Sequence, residues 1–175
     1  AGILDSSRFI YFLSQELKVP VGKIKSFVLG GHGDSMVAML ESTKIDGKNI
    51  SEIIKDGKLS KEKLDQIVER TKKGGAEIVK YLEKGSAFYA PAASGVEMAE
   101  CYIKDLKKQL PCAAYLNGEY GFTNVYAGVP IIIGKNGVEK IIELNLSQKE
   151  KEAFALSVKT VQDLYKAAQK IDPNL

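Results

Sequence analysis

The chain holds a single histidine, His32, in the run Gly30-Gly31-His32-Gly33-Asp34-Ser35. Imidazole is the side chain most often used to move protons near neutral pH. Glycines on both sides of it allow a sharp turn and leave room beside the ring for a small molecule. The same run also suits a turn histidine bonded to a neighbouring backbone group, and by itself it fits both readings. Asp5 and Arg8 stand three apart in a segment of helical apolar spacing, so they share one helix face and could project into one cleft. Alone, such a pair is a solvated ion pair. Beside His32 it gains a use, because a carboxylate orients an imidazole and a guanidinium grips a substrate carboxylate through two parallel hydrogen bonds. The three groups together would suit a 2-hydroxy acid.

The elements that must position them follow from periodicity. Ile3, Leu4, Ile10, Leu13 and Leu17 predict a helix over 2–18, ended by Pro20. A strand over 24–29 then runs into the glycine break, which places His32 at a strand exit, with a second strand over 36–40. Asp46-Gly47 reads as a turn. From Ser60 onward, Leu64, Ile67, Val68, Ile78, Val79 and Leu82 mark an amphipathic helix that Gly74-Gly75 should kink or split. Residues 87–106 open with small side chains that permit close helix approach, and Pro91 is tolerable only in the first turn of that helix. Strands are expected over 112–116, 129–133 and 138–144, the last two joined through the hairpin signal Lys135-Asn136-Gly137. Ser147 and Glu150 form a capping box ahead of a last helix with the stripe Phe154, Val158, Val161, Tyr165 and Ala168. No repeat or linker divides the chain, so we read one α+β domain over 1–175, with antiparallel hairpins packed against long helices.

Composition narrows the functions. At 45% hydrophobic and 27% charged, the 175 residues can bury a real core, which excludes a disordered or collagen-like chain. Twenty-five basic against 22 acidic residues leave +3, and Glu62, Asp65 and Glu69 alternate with the lysines of 58–73 as on an exposed helix face. With 8% aromatics and no Trp, neither a nucleic-acid footprint nor a base-stacking platform is expected. No apolar run approaches the ~20 residues of a membrane helix. Cys101 and Cys112 read as two buried thiols in a reducing, cytoplasmic setting, and one histidine leaves too few soft ligands for a zinc site unless carboxylates supply the rest. No Walker Lys-Ser or Lys-Thr follows the glycines around His32, and no G-x-G-x-x-G follows a strand. The chain opens at Ala1 without an initiator Met or a leader, and so reads as an excised piece.

Four runs carry a family likeness: Ala1-Gly2-Ile3-Leu4-Asp5-Ser6-Ser7-Arg8-Phe9, Gly30 through Val37 (GGHGDSMV), Tyr89-Ala90-Pro91-Ala92-Ala93-Ser94 and Leu110-Pro111-Cys112-Ala113-Ala114-Tyr115-Leu116. Over its whole length the chain resembles the C-terminal catalytic domain of bacterial malate dehydrogenases of the lactate-dehydrogenase-like type, and the fold is expected to be that of the lactate/malate dehydrogenase C-terminal domain. The resemblance implies NAD-dependent oxidation of a small 2-hydroxy dicarboxylate to its 2-keto form. In its terms His32 exchanges the proton of the substrate hydroxyl, Asp5 is the carboxylate partner of His32, and Arg8 binds the substrate carboxylate. Gly31, Ala87 and Pro91 fall where the family lines the pocket for substrate and nicotinamide. Lactate dehydrogenases usually place Glu at the position of Gly31 and Thr at that of Ala87, so both residues lean towards malate. The family's N-terminal Rossmann domain and its mobile-loop arginines are missing from this chain, so NAD would be held mainly elsewhere and the chain alone is expected to be inactive. The likeness further implies a homo-oligomer and no metal. Two alternatives remain: the equivalent half of a lactate or other 2-hydroxy acid dehydrogenase, and a non-catalytic assembly module.

Overall fold

The computed structural model describes residues 2–172. The first apolar stripe folds as α1 (Gly2–Leu17), with Ile3, Leu4, Phe9 and Leu13 turned inward. The single strand expected over 24–29 is instead two. β1 (Ile24–Lys25) pairs with β4 (Lys44–Ile45), whereas β2 (Val28–Gly30) pairs with β3 (Met36–Ala38). The partner changes at Ser26 and Phe27: the buried Ser26 and Thr43 hydroxyls lie 2.7 Å apart, and the Phe27 carbonyl accepts the Met39 N–H at 2.9 Å. β5 (Lys48–Asn49) completes a small sheet in the order β1-β4-β5. It feeds α2 (Ile50–Lys55), a helix too short for its periodicity to stand out, started by an Asn49–Glu52 capping box.

α3 (Lys61–Leu82) begins at Ser60, whose hydroxyl accepts the Lys63 N–H at 3.1 Å, and it runs without a break through Gly74-Gly75. The helix is therefore not split. Tertiary packing outweighs the ~1 kcal/mol per glycine that helix propensity charges, because Leu64, Ile67, Thr71 and Gly74 are all buried along one side. α4 (Tyr89–Ile103) starts after Ala87 and keeps Pro91 in its first turn.

β6 (Lys108–Asn117) and β7 (Thr123–Gly134) are longer than the apolar runs that announced them: β6 continues back through Pro111, and β7 reaches back to Thr123. Pro111 and Pro130 lie opposite each other in register, so neither demands a partner for a missing N–H. β7 turns at 135–136 into β8 (Gly137–Ile141), as the Asn-Gly signal required. β8 stops at Ile141, short of the expected 144, because Tyr120 claims the next backbone: its hydroxyl donates to the Ile142 carbonyl at 2.8 Å and accepts the Leu144 N–H at 2.9 Å. α5 (Gln148–Ile171) closes the described fold behind the Ser147–Glu150 box.

The larger sheet runs β3-β2-β7-β6, with β8 also on β7, and every strand pairing among the described residues is antiparallel. Two apolar clusters result. One lies between this sheet and α5 around Leu29, Leu116, Val129, Ile131, Phe154 and Val158; the other gathers Phe9, Leu13, Val28, Ile45, Leu64 and Ile67. α1 and β2 belong to both, since Ile3 and Leu29 enter the first cluster and Phe9 and Val28 the second. His32 hangs from the end of β2, at this seam. Cys101 and Cys112 are buried free thiols, and burial pushes the Cys112 thiol up to about 11, which keeps it protonated and inert at neutral pH. Among the described residues no helix is long and apolar enough to cross a membrane.

Candidate active site

The first turns of α1 present two polar side chains inward, Asp5 and Ser6, beside the apolar Ile3, Leu4 and Phe9. Each is tied to the β2 region. The Ser6 hydroxyl accepts the Val28 N–H at 2.9 Å, fixing β2 against α1. Two residues further, Gly30 adopts φ +84° and pairs with Gly128 of β7, where a side chain at 128 would lie 2.7 Å from the Gly30 carbonyl oxygen. Only glycine permits that approach. The chain then turns through His32 into a short 3-10 turn over Gly33–Ser35, and this brings the imidazole back over Asp5.

His32 Nδ1 and Asp5 Oδ2 are 2.7 Å apart. The carboxylate side chain is 1% exposed while the histidine side chain is 54% exposed, so a buried anchor carries a ring open to solvent. A carboxylate only accepts, so Nδ1 donates, and Nε2 is the nitrogen left to exchange a proton. One turn along α1, Arg8 Nη1 stands 3.6 Å from Asp5 Oδ1, an ion-pair distance rather than a hydrogen bond. Arg8 Nε and Asp5 Oδ1 are both buried with no hydrogen-bond partner among the described residues. Native folds rarely leave buried polar groups so, and each exception calls for a partner or a role. The arginine lies along α3 at Gly74, where a Cβ would stand 3.0 Å from Arg8 Cδ and 3.4 Å from Nε.

The structure thus brings three of the six sequence-derived residues, Asp5, His32 and Arg8, into one cluster. Gly31 adjoins it: a Cβ there would press on the Ser35 hydroxyl and stand in ordinary contact with Val161, so the Ser35 side chain would have to turn aside for any larger residue. Ala87 is half-buried in the segment between α3 and α4, and Pro91 is exposed on α4. A groove of about 310 Å³ beside Arg8 is walled by Ser7 and Tyr11 of α1 and by Ala90, Ser94 and Glu97 of α4, and neither Ala87 nor Pro91 lines it.

Sequence reasoning missed three supports. Ser6 stood unremarked beside Asp5. Gly74 read as a kink rather than as a bed for Arg8. Ser157 of α5 accepts the Gly31 N–H at 2.8 Å and donates to the Ser35 carbonyl at 2.5 Å, across 126 and 122 residues of chain. The one signal for Ser157 was a small polar residue on the buried stripe between Phe154 and Val158.

An antiparallel α+β domain with a buried carboxylate under a solvent-open imidazole, and an arginine beside both, has the parts to exchange a proton next to a bound carboxylate. The chain belongs to the lactate/malate dehydrogenase family: the model of that family's alpha/beta C-terminal domain matches residues 3–171. It is 63% identical to a malate dehydrogenase of Pelagibacter ubique across all 175 residues, which make up 55% of that relative. A crystal structure of Cryptosporidium parvum malate dehydrogenase superposes with a TM-score of 0.93 at 44% identity, over 97% of this chain and 54% of that one. A lactate dehydrogenase of Eimeria maxima, solved with NADH and oxamate, gives 0.94 at 42% identity, over 99% and 54%. The chain therefore spans about half the length of the relatives it matches.

Proposed function

We propose that this chain is the C-terminal, substrate-binding half of an NAD-dependent malate dehydrogenase. The observation that carries the reading is the Asp5–His32 contact of 2.7 Å with Arg8 on the same face of the same helix. In the oxidising direction His32 Nε2 takes the hydroxyl proton of malate, and in the reducing direction it returns a proton to the oxygen of oxaloacetate. Asp5 holds the ring so that Nε2 faces outward throughout. Arg8 offers its planar fork to a substrate carboxylate, which sets the carbinol carbon beside the imidazole.

NAD, when bound, supplies the hydride acceptor. The residues of this chain do not suit a dinucleotide cradle. No glycine-rich turn joins a parallel strand to a helix, since every described pairing is antiparallel, so we assign nucleotide binding to sequence outside these 175 residues. Gly31, Ala87 and Pro91 are proposed only to border the nicotinamide side. The same reading carries a cytoplasmic location and homo-oligomeric assembly. The exposed Tyr89, Val96 and Ile103 of α4, each at least 68% open, support assembly.

The test joins this chain to the amino-terminal part of the Pelagibacter relative and compares 2-keto acids in the presence of NADH. We expect oxaloacetate to be preferred over pyruvate by at least about tenfold in kcat/KM. The 42% identity to a lactate dehydrogenase supports a second reading, in which pyruvate is preferred. Tight NADH binding without turnover of either acid would leave the assembly module.

A further inference from the structure

We propose that Ser157, on the last helix, is a positioning residue for His32. One hydroxyl spans the histidine loop: it accepts the N–H of the residue before His32 and donates to the carbonyl three residues after it, at 2.8 and 2.5 Å. Both bonds run to main chain, so they fix the loop whatever its side chains do. Ser157 itself is 3% exposed, and it sits on α5 between Phe154 and Val158, which are at most 1% exposed and locked into the sheet cluster. The buried face of α5 around Ser157 thus supplies the frame, and the hydroxyl transmits its position to residues 31–35.

The surroundings are cut to this bond. A side chain at Gly30 would collide with the Ser157 hydroxyl, and one at Gly31 with the Ser35 hydroxyl. Ser35 adds its own bond to the His32 carbonyl at 3.3 Å. On the other side of the ring, Asp5 is held by α1, and Ser6 of the same turn ties β2. His32 is therefore suspended between α1, which grips the ring, and α5, which grips the loop. Without Ser157 the loop keeps its glycines at 30, 31 and 33, all permissive of other backbone conformations, and the ring has only one long lever to Asp5. The hydroxyl is buried and spends both its bonds on main chain, so it acts through His32 and not in its place.

The proposal rests on the reading of His32 as the proton-exchanging group, yet it can be tested without any turnover. His32 is the only histidine in the chain. Nitrogen-15 labelling of histidine therefore gives one ring, and its long-range proton–nitrogen spectrum reports which nitrogen carries the proton. In the 175-residue chain, above the pH at which the ring is neutral, we expect the Nδ1–H form that Asp5 selects. In Ser157→Ala the ratio of Nδ1–H to Nε2–H should fall by roughly tenfold, the equivalent of one ordinary hydrogen bond. Val158→Ala removes buried packing one residue along, so it should lower Tm while leaving the ratio unchanged. Ser157→Thr, which returns a hydroxyl, should restore the ratio. If Ser157→Ala does not fold, Ser157→Cys fills the site with a weaker donor and should give an intermediate ratio. A folded Ser157→Ala or Ser157→Cys with the wild-type ratio, or a Val158→Ala that shifts it as far, would overturn the proposal. Either result would leave the assignment of His32 standing.

Discussion

The imidazole and the guanidinium of this site are held by opposite means. His32 rides on a loop, and its place is set from far along the chain, by Asp5 at 27 residues and by Ser157 at 126 from Gly31. Arg8 rides on a helix, and its place is set by α1 itself and by a missing side chain at Gly74. The two also differ in exposure, 54% for the histidine side chain against 12% for the arginine. On the proposed function this division is apt, since a proton-exchanging group must trade with solvent and substrate, whereas a carboxylate clamp gains strength when water is kept from it. Directional hydrogen bonds hold the group whose orientation matters, and close packing holds the group whose charge matters.

The largest effect removes the chemistry on both sides at once. The isolated 175-residue chain should have no malate dehydrogenase activity and no saturable NADH binding below about 1 mM, because hydride transfer needs donor and acceptor held together. Fluorescence titration of NADH, beside a light-scattering mass, checks it. Saturable tight binding would mean that the cofactor site has been assigned to the wrong half. A clean monomer would remove the assembly claim alone.

Within the joined protein, the histidine side should dominate kcat. His32→Asn keeps a polar side chain but removes the proton-exchanging imidazole, and should lower kcat by ~10²–10⁴ with NADH affinity nearly unchanged. A variant that keeps half of the wild-type kcat would put His32 back among turn histidines. The arginine side should show in binding instead. Arg8→Lys exchanges a planar fork for a point charge, and should raise KM for oxaloacetate by about 10- to 100-fold, the worth of a charge-assisted hydrogen bond. Circular dichroism should find the fold intact. Unchanged KM would return Arg8 and Asp5 to the rank of a surface-type ion pair.

The same contrast explains how much could be read from the residues in order. The helices over α1, α3, α4 and α5, the Asn-Gly hairpin and the Ser147 box were legible because each depends on neighbours within one or two turns. So was the pairing of Asp5 with Arg8, three apart on a helix. The split of the 24–29 strand was not, since it depends on Thr43 and Met39 claiming Ser26 and Phe27 across the fold. The full length of β6 was hidden by Pro111, which argues against strand until it is seen to face Pro130, and that of β7 by residues 123–128, whose pairing with β6 has no local mark. Ser157 was invisible for the same reason: a serine on a buried helix face has no local mark of what it bonds. The cluster of Asp5, Arg8 and His32 could be named from the sequence, but Ser6, Gly74 and Ser157, which brace it, could not.

Gly74 gives the finest test of the comparison, because it sets stability against binding. Replacing an interior helix glycine by alanine ordinarily stabilises the helix by roughly 0.5–1 kcal/mol, since alanine has less backbone entropy to lose. Gly74 has a helical backbone with no positive φ, so that gain should be available in Gly74→Ala. The new methyl, however, would stand 3.0 Å from Arg8 Cδ and 3.4 Å from Nε, closer than ordinary contact. Arg8 cannot retreat freely: its side chain is only 12% exposed and Asp5 lies on its other side. The guanidinium should therefore shift by a few tenths of an ångström, enough to disturb a bidentate grip without breaking the ion pair. We expect Gly74→Ala to keep or raise Tm while raising KM for oxaloacetate by about two- to tenfold, with kcat close to wild type. A fall in kcat with KM unchanged would mean that α3 supports the imidazole rather than the arginine. A large loss of Tm would mean that the methyl is accommodated by moving α3 away from α1. Either result would end the division of labour between a hydrogen-bonded histidine and a packed arginine.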